Sequence, residues 1–223
     1  STFLKAVPPW VSHQDAEDRH LRLTGARHPL LTGQVVPVSL VLGGRQGGML
    51  ITGPNAGGKT VTLKMIGLLA MMAHAGLHVP ADEAQFPRLD GIYADIGDQQ
   101  SIQQSLSTFS SHIKNLLSIM RRATGHSLVL VDELGTSTDP EEGSALAKAI
   151  VGHLSQRGIP TVVTTHHRTV AAFAEAVPNV TNASFQLDPD TLKPTYELVM
   201  GVPGRSYAMA VAERLGLPAE IMA

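Results

Sequence analysis

Cysteine is missing from the 223 residues, which excludes disulfides, thiolate metal sites and a cysteine nucleophile, and fits a reducing cytoplasm. Positive charge is also scarce: 17 Lys plus Arg against 19 Asp plus Glu leave a net charge of −2. An autonomous nucleic-acid binder needs a basic excess, so any grip on DNA or RNA is expected to lie outside this chain. Long apolar runs are lacking too. The longest, Met65 to Leu77, contains His74 and is too short to span a bilayer. The chain opens without an initiator methionine or a signal pattern and ends, at Leu217 to Ala223, in what reads as a helix just beginning, so it is expected to be a piece of a longer protein. What is present is ample core material, 43% apolar and only 16% charged residues, in a length that suits one large domain.

Residues 1–20, with Pro8-Pro9 and mixed charge, read as a connector from a preceding domain, and residues 21–223 as the domain itself. Gly48 to Thr52 is a short apolar run ended by Gly53-Pro54, the pattern of a buried strand feeding a turn; Val61 to Ala75, apolar almost all round, predicts a helix covered on most faces. A second helix is expected from about Ser101 to Arg122, followed by the apolar strand Ser127 to Val131. Asp139 predicts a helix cap, with Pro140 in the first turn and Glu142 completing a capping box; Thr161 to Thr165 is another buried strand. Val180 to Val199, broken at Asp188-Pro189-Asp190, reads as a β-hairpin, and Arg205 to Leu215 as a final helix. Such alternation implies an α/β domain whose mostly parallel sheet is flanked by helices, with ligands gathering at the carboxyl ends of the strands.

Gly53-Pro54-Asn55-Ala56-Gly57-Gly58-Lys59-Thr60 satisfies GxxxxGK[ST] between an expected strand and an expected helix, the pattern of a phosphate loop. Glycines let backbone N–H groups wrap a polyphosphate, the helix start adds a favourable dipole, Lys59 supplies a point charge and Thr60 ligates magnesium. The strand ending in Asp132-Glu133 supplies the complementary half of a nucleotide hydrolase: Asp132 is assigned to the Mg2+ shell and Glu133 to polarising water. Thr165-His166-His167, after the next strand, sets an imidazole where a γ-phosphate can be sensed, and His166 is the candidate. Other groups carry less. His74 and His78 lie four apart without an HExxH pattern and read as packing or helix-end residues; Asp82, Glu83, Asp95 and Asp98 read as solvated loop acids, and Lys148, Arg157 and Arg168 as isolated surface charges.

GPNAGGKT, Ser107-Thr108-Phe109, VDELGTSTDP at Val131 to Pro140, TTHH at Thr164 to His167 and GRSYAMAVAERLGLP at Gly204 to Pro218 occur in that order. Together they resemble the ATPase domain of the MutS family, of the ABC-type branch of P-loop NTPases, over the chain from about Leu21 onward. Thr60 after the lysine, the DELG-x-x-TDP form and ADIGDQQSIQQSLSTFSSH at Ala94 to His112 are most similar to the second bacterial MutS paralogue, the recombination-suppressing type that commonly carries an Smr nuclease domain. The resemblance implies a homodimer in which each ATP is held by one subunit's phosphate loop and capped by the other subunit. By position, Ser107 would touch the opposing γ-phosphate, Asn55 would face the γ-phosphate on its own side, and Gly135 to Asp139 would link the sites. Val35 and Tyr196 fall where the family sandwiches adenine, although the aromatic and histidine residues of the mismatch-repair form are replaced here. The plainer alternative puts Val35 in a strand and Tyr196 in the hairpin core.

The resemblance further implies an ATP-driven switch acting on branched or recombining DNA, or on stalled ribosomes, through domains outside this chain, with the final helix (Tyr207, Met209, Ala210, Val211, Leu215) on the partner subunit. Two other readings stay open. One is the ATP-binding subunit of a transporter, against which stands the lack of LSGGQ. The other is a dimerisation module that holds ATP without hydrolysing it, against which stand Lys59, Thr60, Asp132 and Glu133.

Overall fold

The computed structural model describes residues 6–12, 20–44, 47–97, 105–136, 138–204 and 214. In chain order its elements are β1 (Trp10–Ser12), β2 (His20–Ala26), β3 (Val38–Gly43), β4 (Gly48–Thr52), α1 (Lys59–His74), β5 (Glu83–Pro87), β6 (Gly91–Asp95), α2 (Ser105–Arg122), β7 (Ser127–Val131), α3 (Pro140–Gln156), β8 (Thr161–Thr164), α4 (Arg168–Ala176), β9 (Val180–Leu187) and β10 (Pro194–Met200). The expected final helix lies outside the described residues apart from residue 214.

The larger sheet runs β10-β9-β4-β8-β7-β6. Every pairing from β9 to β6 is parallel, and β10 alone is antiparallel, closing the expected hairpin on β9. Strands β4, β7 and β8 are buried at every residue, as parallel strands covered on both faces must be. Their side chains alternate between two cores. Met49, Ile51, Leu128, Leu130 and Val162 pack with α1 on one face, whereas Leu50, Val129, Val131 and Val163 pack with α2, α3 and α4 on the other.

The first face is not covered by helix alone. A separate four-stranded sheet, β1-β5-β2-β3, shares the α1 core through Leu21, Leu23, Leu40, Leu42 and Phe86. Its long strands alternate buried and exposed residues, as a sheet with one wet face does. The edge strand β1, Trp10–Ser12, pairs in parallel with β5. Part of the stretch read as a connector is therefore stitched into a sheet.

Helix ends follow their sequence chemistry with one difference. Gly76, at φ 74, closes α1, its N–H reaching Ala73 O while Leu77 N–H reaches Met72 O. Asp139 caps α3 by accepting from the N–H groups of Glu141 and Glu142, with Pro140 in the first turn. Glu142 does not complete a capping box as expected; its carboxylate lies 3.4 Å from the Thr138 hydroxyl that donates to it.

Arg157 also departs from expectation. It is no isolated surface charge, because its guanidinium donates to Met120 O and, at 2.9 Å, to Ala123 O, satisfying carbonyls left over at the end of α2. Arg157→Ala should lower stability by about 1 kcal/mol, read as an earlier midpoint in urea with an unchanged slope.

Candidate functional site

The carboxyl ends of β4, β7 and β8 converge because the three strands are neighbours and parallel. At the first of them the chain leaves β4 at Gly53 (φ 129), passes a short 3-10 turn over Asn55–Gly57 and enters α1 from Gly58 (φ 103). One of these glycines is required by contact and a second is tightly packed. A Cβ on Gly53 would stand 2.5 Å from Phe185 O, and one on Gly57 would stand 3.0 Å from Phe185 Cβ. The first turn of α1 carries no side-chain cap, so its amides are left to face a ligand.

Lys59 is the second observation at this turn. It is 3% exposed, and its Nζ donates to Gly53 O at 2.7 Å and to Pro54 O at 3.1 Å, drawing the loop around its own ammonium. Burial pulls its pKa down from 10.5, while the carboxylates of Glu133 and Asp132 pull it back up. The charge is thus within electrostatic reach of both acids that end β7. Thr60 follows, half-buried, while Pro54 is half-buried and Ala56 exposed.

Asp132 is 5% exposed, and its carboxylate accepts the Thr164 hydroxyl at 2.5 Å. That same hydroxyl accepts the Glu133 N–H at 2.8 Å, so one side chain of β8 fixes both neighbouring acids. Glu133 has φ 48, a left-handed conformation that is uncommon outside glycine and persists only when its surroundings enforce it. Enforcement is visible in the three carbonyls that follow. Glu133 O accepts from Thr136 N–H and Oγ1, Leu134 O from Thr165 Oγ1, and Gly135 O from His167 Nε2 at 3.0 Å.

His166 is exposed at the end of β8, with its ring 4.7 Å from that of His167. Its partial burial first, then the neighbouring His167 ring and the Lys59 ammonium, hold it below the ordinary 6.5, against an opposing pull from Glu133. The imidazole is accordingly neutral at pH 7 and able to donate or accept a hydrogen bond.

Val35 and Tyr196 line one cavity of about 190 Å³, together with Gly57, Gly58 and Phe185. Neither follows the plainer expectation. Val35 lies before β3 rather than in a strand, and Tyr196 is 48% exposed rather than in the hairpin core. Tyr196 has φ 58 at a register shift in β10, the kind of bulge that re-aims a side chain.

The side chains of Asn55 and Ser107 lie outside the described residues, as do Asp98 and Ser137; Ser107 belongs by its backbone to the first turn of α2. Asp95 is not a solvated loop acid. It ends β6, and its carboxylate meets His112 Nδ1 and accepts from Asn115 Nδ2 at 2.8 Å. His74 serves packing: Nδ1 bonds Ala70 O and Nε2 accepts from Leu89 N–H. Among the described residues no helix is long and apolar enough to cross a membrane.

The family model for MutS domain V matches residues 49–223. A protein named Endonuclease MutS2 from Brevibacillus brevis is 50% identical over 221 residues, 98% of this chain and 28% of its own length. Proteins of the same name from Geobacillus kaustophilus and Alkaliphilus metalliredigens are 51% identical over 221 residues and 52% over 220, covering 98% of this chain and 28% and 27% of theirs. The chain therefore spans little more than a quarter of the length of the curated relatives it matches.

Proposed function

The chain belongs to the MutS family, as a domain V of the MutS2 type, and from that premise we propose that it binds and hydrolyses MgATP to close and open a dimer. One observation carries the reading. A buried ammonium inside a glycine turn lies within electrostatic reach of two carboxylates on a neighbouring strand end, the arrangement phosphoryl transfer to water requires. A nucleotide-holding module without turnover would have no use for Glu133 in a conformation its own backbone resists.

In this reading the amides of residues 55–60 and the Lys59 ammonium take up the phosphate charge, and Lys59 exchanges its loop carbonyls for phosphate oxygens. Glu133 holds and polarises the attacking water, and no covalent intermediate is needed. His166, uncharged at neutral pH, hydrogen-bonds the γ-phosphate, which Asn55 also faces. Thr60 and Asp132 offer the hard oxygen donors that magnesium takes, and the buried Asp132 carboxylate beside Lys59 fits that role. Magnesium, once bound, supplies the charge that offsets the phosphate oxygens.

Adenine lies between Val35 and Tyr196. Calorimetric titration with MgATP should report one site per chain, and Tyr196→Ala should weaken that site about tenfold through lost stacking area while leaving kcat within about twofold. No heat at saturating MgATP would end this reading.

We read residues 21–223 as the ATPase domain and residues 1–20 as the lead-in from an earlier domain, of which Trp10–Ser12 joins the smaller sheet beside β5. The partner subunit contributes Ser107, the loop from Gly135 to Asp139 joins the two sites, and the final helix packs on the partner. The whole protein acts in the cytoplasm on branched or recombining DNA, or on ribosomes, through regions this chain does not span. The endonuclease named in the relatives is assigned to those regions as well.

A further inference from the structure

We infer that His167 is a positioning residue for hydrolysis, the last rung of a ladder that holds Glu133 in its left-handed conformation; the inference rests on the reading of Glu133 as the residue that orients water. The ladder joins the end of β7 to the end of β8. Thr164 Oγ1 takes the Glu133 N–H, Leu134 N–H goes to Thr164 O, Thr165 Oγ1 donates to Leu134 O, and His167 Nε2 donates to Gly135 O. A carbonyl only accepts, so Nε2 carries the proton in this bond.

The lower rungs come from residues held within or against β8, with Thr164 and Thr165 both fully buried. The top rung comes from the side chain farthest beyond the strand, and it grips a residue that is itself left-handed at φ 86. Glu133 and Gly135 therefore form a turn with two left-handed residues, one of which carries a side chain that resists the conformation. Removal of the top rung takes away one of the bonds that hold the Gly135–Thr136 peptide, whose N–H goes to Glu133 O, and the resulting relaxation reaches Glu133 through that bond and through Leu134. The His167 ring lies 4.7 Å from that of His166, the two tilted by 35°.

The carboxylate would then move relative to the water it orients while the phosphate loop, on β4, stays as it was. The expected signature is a fall in kcat at constant KM. Misplacement of this kind costs about ten- to a hundredfold in rate. Glutamine at position 167 carries an amide N–H of similar reach and should restore most of the loss.

The test compares the whole protein with His167→Ala, His167→Gln and His166→Ala. MgATP turnover should fall at least about tenfold in H167A, with KM unchanged within about twofold, and recover in H167Q. Amide hydrogen exchange of residues 133–136, without nucleotide, should accelerate in H167A and stay slow in H167Q and H166A. Wild-type kcat in H167A, an H167Q as slow as H167A, or unchanged exchange in H167A would each overturn the inference. A wild-type protein that binds MgATP without turnover would instead end the reading of Glu133 as the base, and the exchange comparison would still decide whether His167 holds the turn.

Discussion

Replacement of Glu133 by glutamine lowers MgATP turnover by about a hundredfold or more, the usual worth of a positioned general base, and leaves nucleotide binding intact. The reason is geometric. What fixes position 133 is its backbone, the N–H to Thr164 Oγ1 and the carbonyl to Thr136, and glutamine keeps both while matching the shape of the side chain. The loop around Lys59 stands on another strand and is untouched. Binding and chemistry therefore separate in this variant: dimers assembled with ATP should persist in size-exclusion chromatography while phosphate release nearly stops. Turnover equal to wild type would assign the water to another group. Lys59→Ala, by contrast, should lose both measurements together, because it removes the charge that gathers the loop.

A second large effect is expected where α3 meets the turn after Glu133. A Cβ at Gly143, near the start of α3, would lie 1.9 Å from Gly135 O, and one at Gly135 would lie 2.4 Å from Gly143 O. Both obstacles are backbone, so no rotamer change relieves them. Gly143→Ala must push α3 away from the turn after Glu133 and should cost about 3 kcal/mol or more. For a chain of this size that is a fall in Tm of roughly 6–12 °C. The same displacement pulls Gly135 O from His167, so turnover measured well below Tm should drop as well. An unchanged melting curve would mean that the helix does not approach the turn this closely.

The two variants mark where sequence is informative and where it is not. The phosphate loop, the acid pair and the flanking elements were legible because each is local: eight consecutive residues carry the first, two the second, and apolar runs bounded by Gly-Pro or Asp-Pro carry the elements. The capping of α3 by Asp139 is local in the same sense. The smaller sheet was not read, although the alternation of Leu21 with Leu23 and of Leu40 with Leu42 is a strand pattern, because nothing local says that β2, paired with β3 on one side, pairs with β5 on the other in a sheet of their own.

Contacts across space were equally hidden. Arg157 finds the end of α2 more than thirty residues away in sequence, and Asp95 meets His112. The bond from His167 to Gly135 exists only because β7 and β8 are neighbours. Val35 and Tyr196 were placed by resemblance, and their meeting in one cavity depends on a loop before β3 and a bulge in β10, neither of which has a period to read.

The central place of β4 has a consequence for how the molecule is made. Its parallel neighbours β8 and β9 are synthesised long after it, and Thr52 bonds the carbonyl of Ala183, 131 residues downstream. A nascent chain that has delivered the glycine turn and α1 still lacks both neighbours of that strand, with Met49 and Ile51 covered by α1 but Leu50, which faces the later helices, uncovered. Closure of so long a span is entropically slow, so a truncation before about residue 185 should yield an aggregating intermediate rather than a smaller working module.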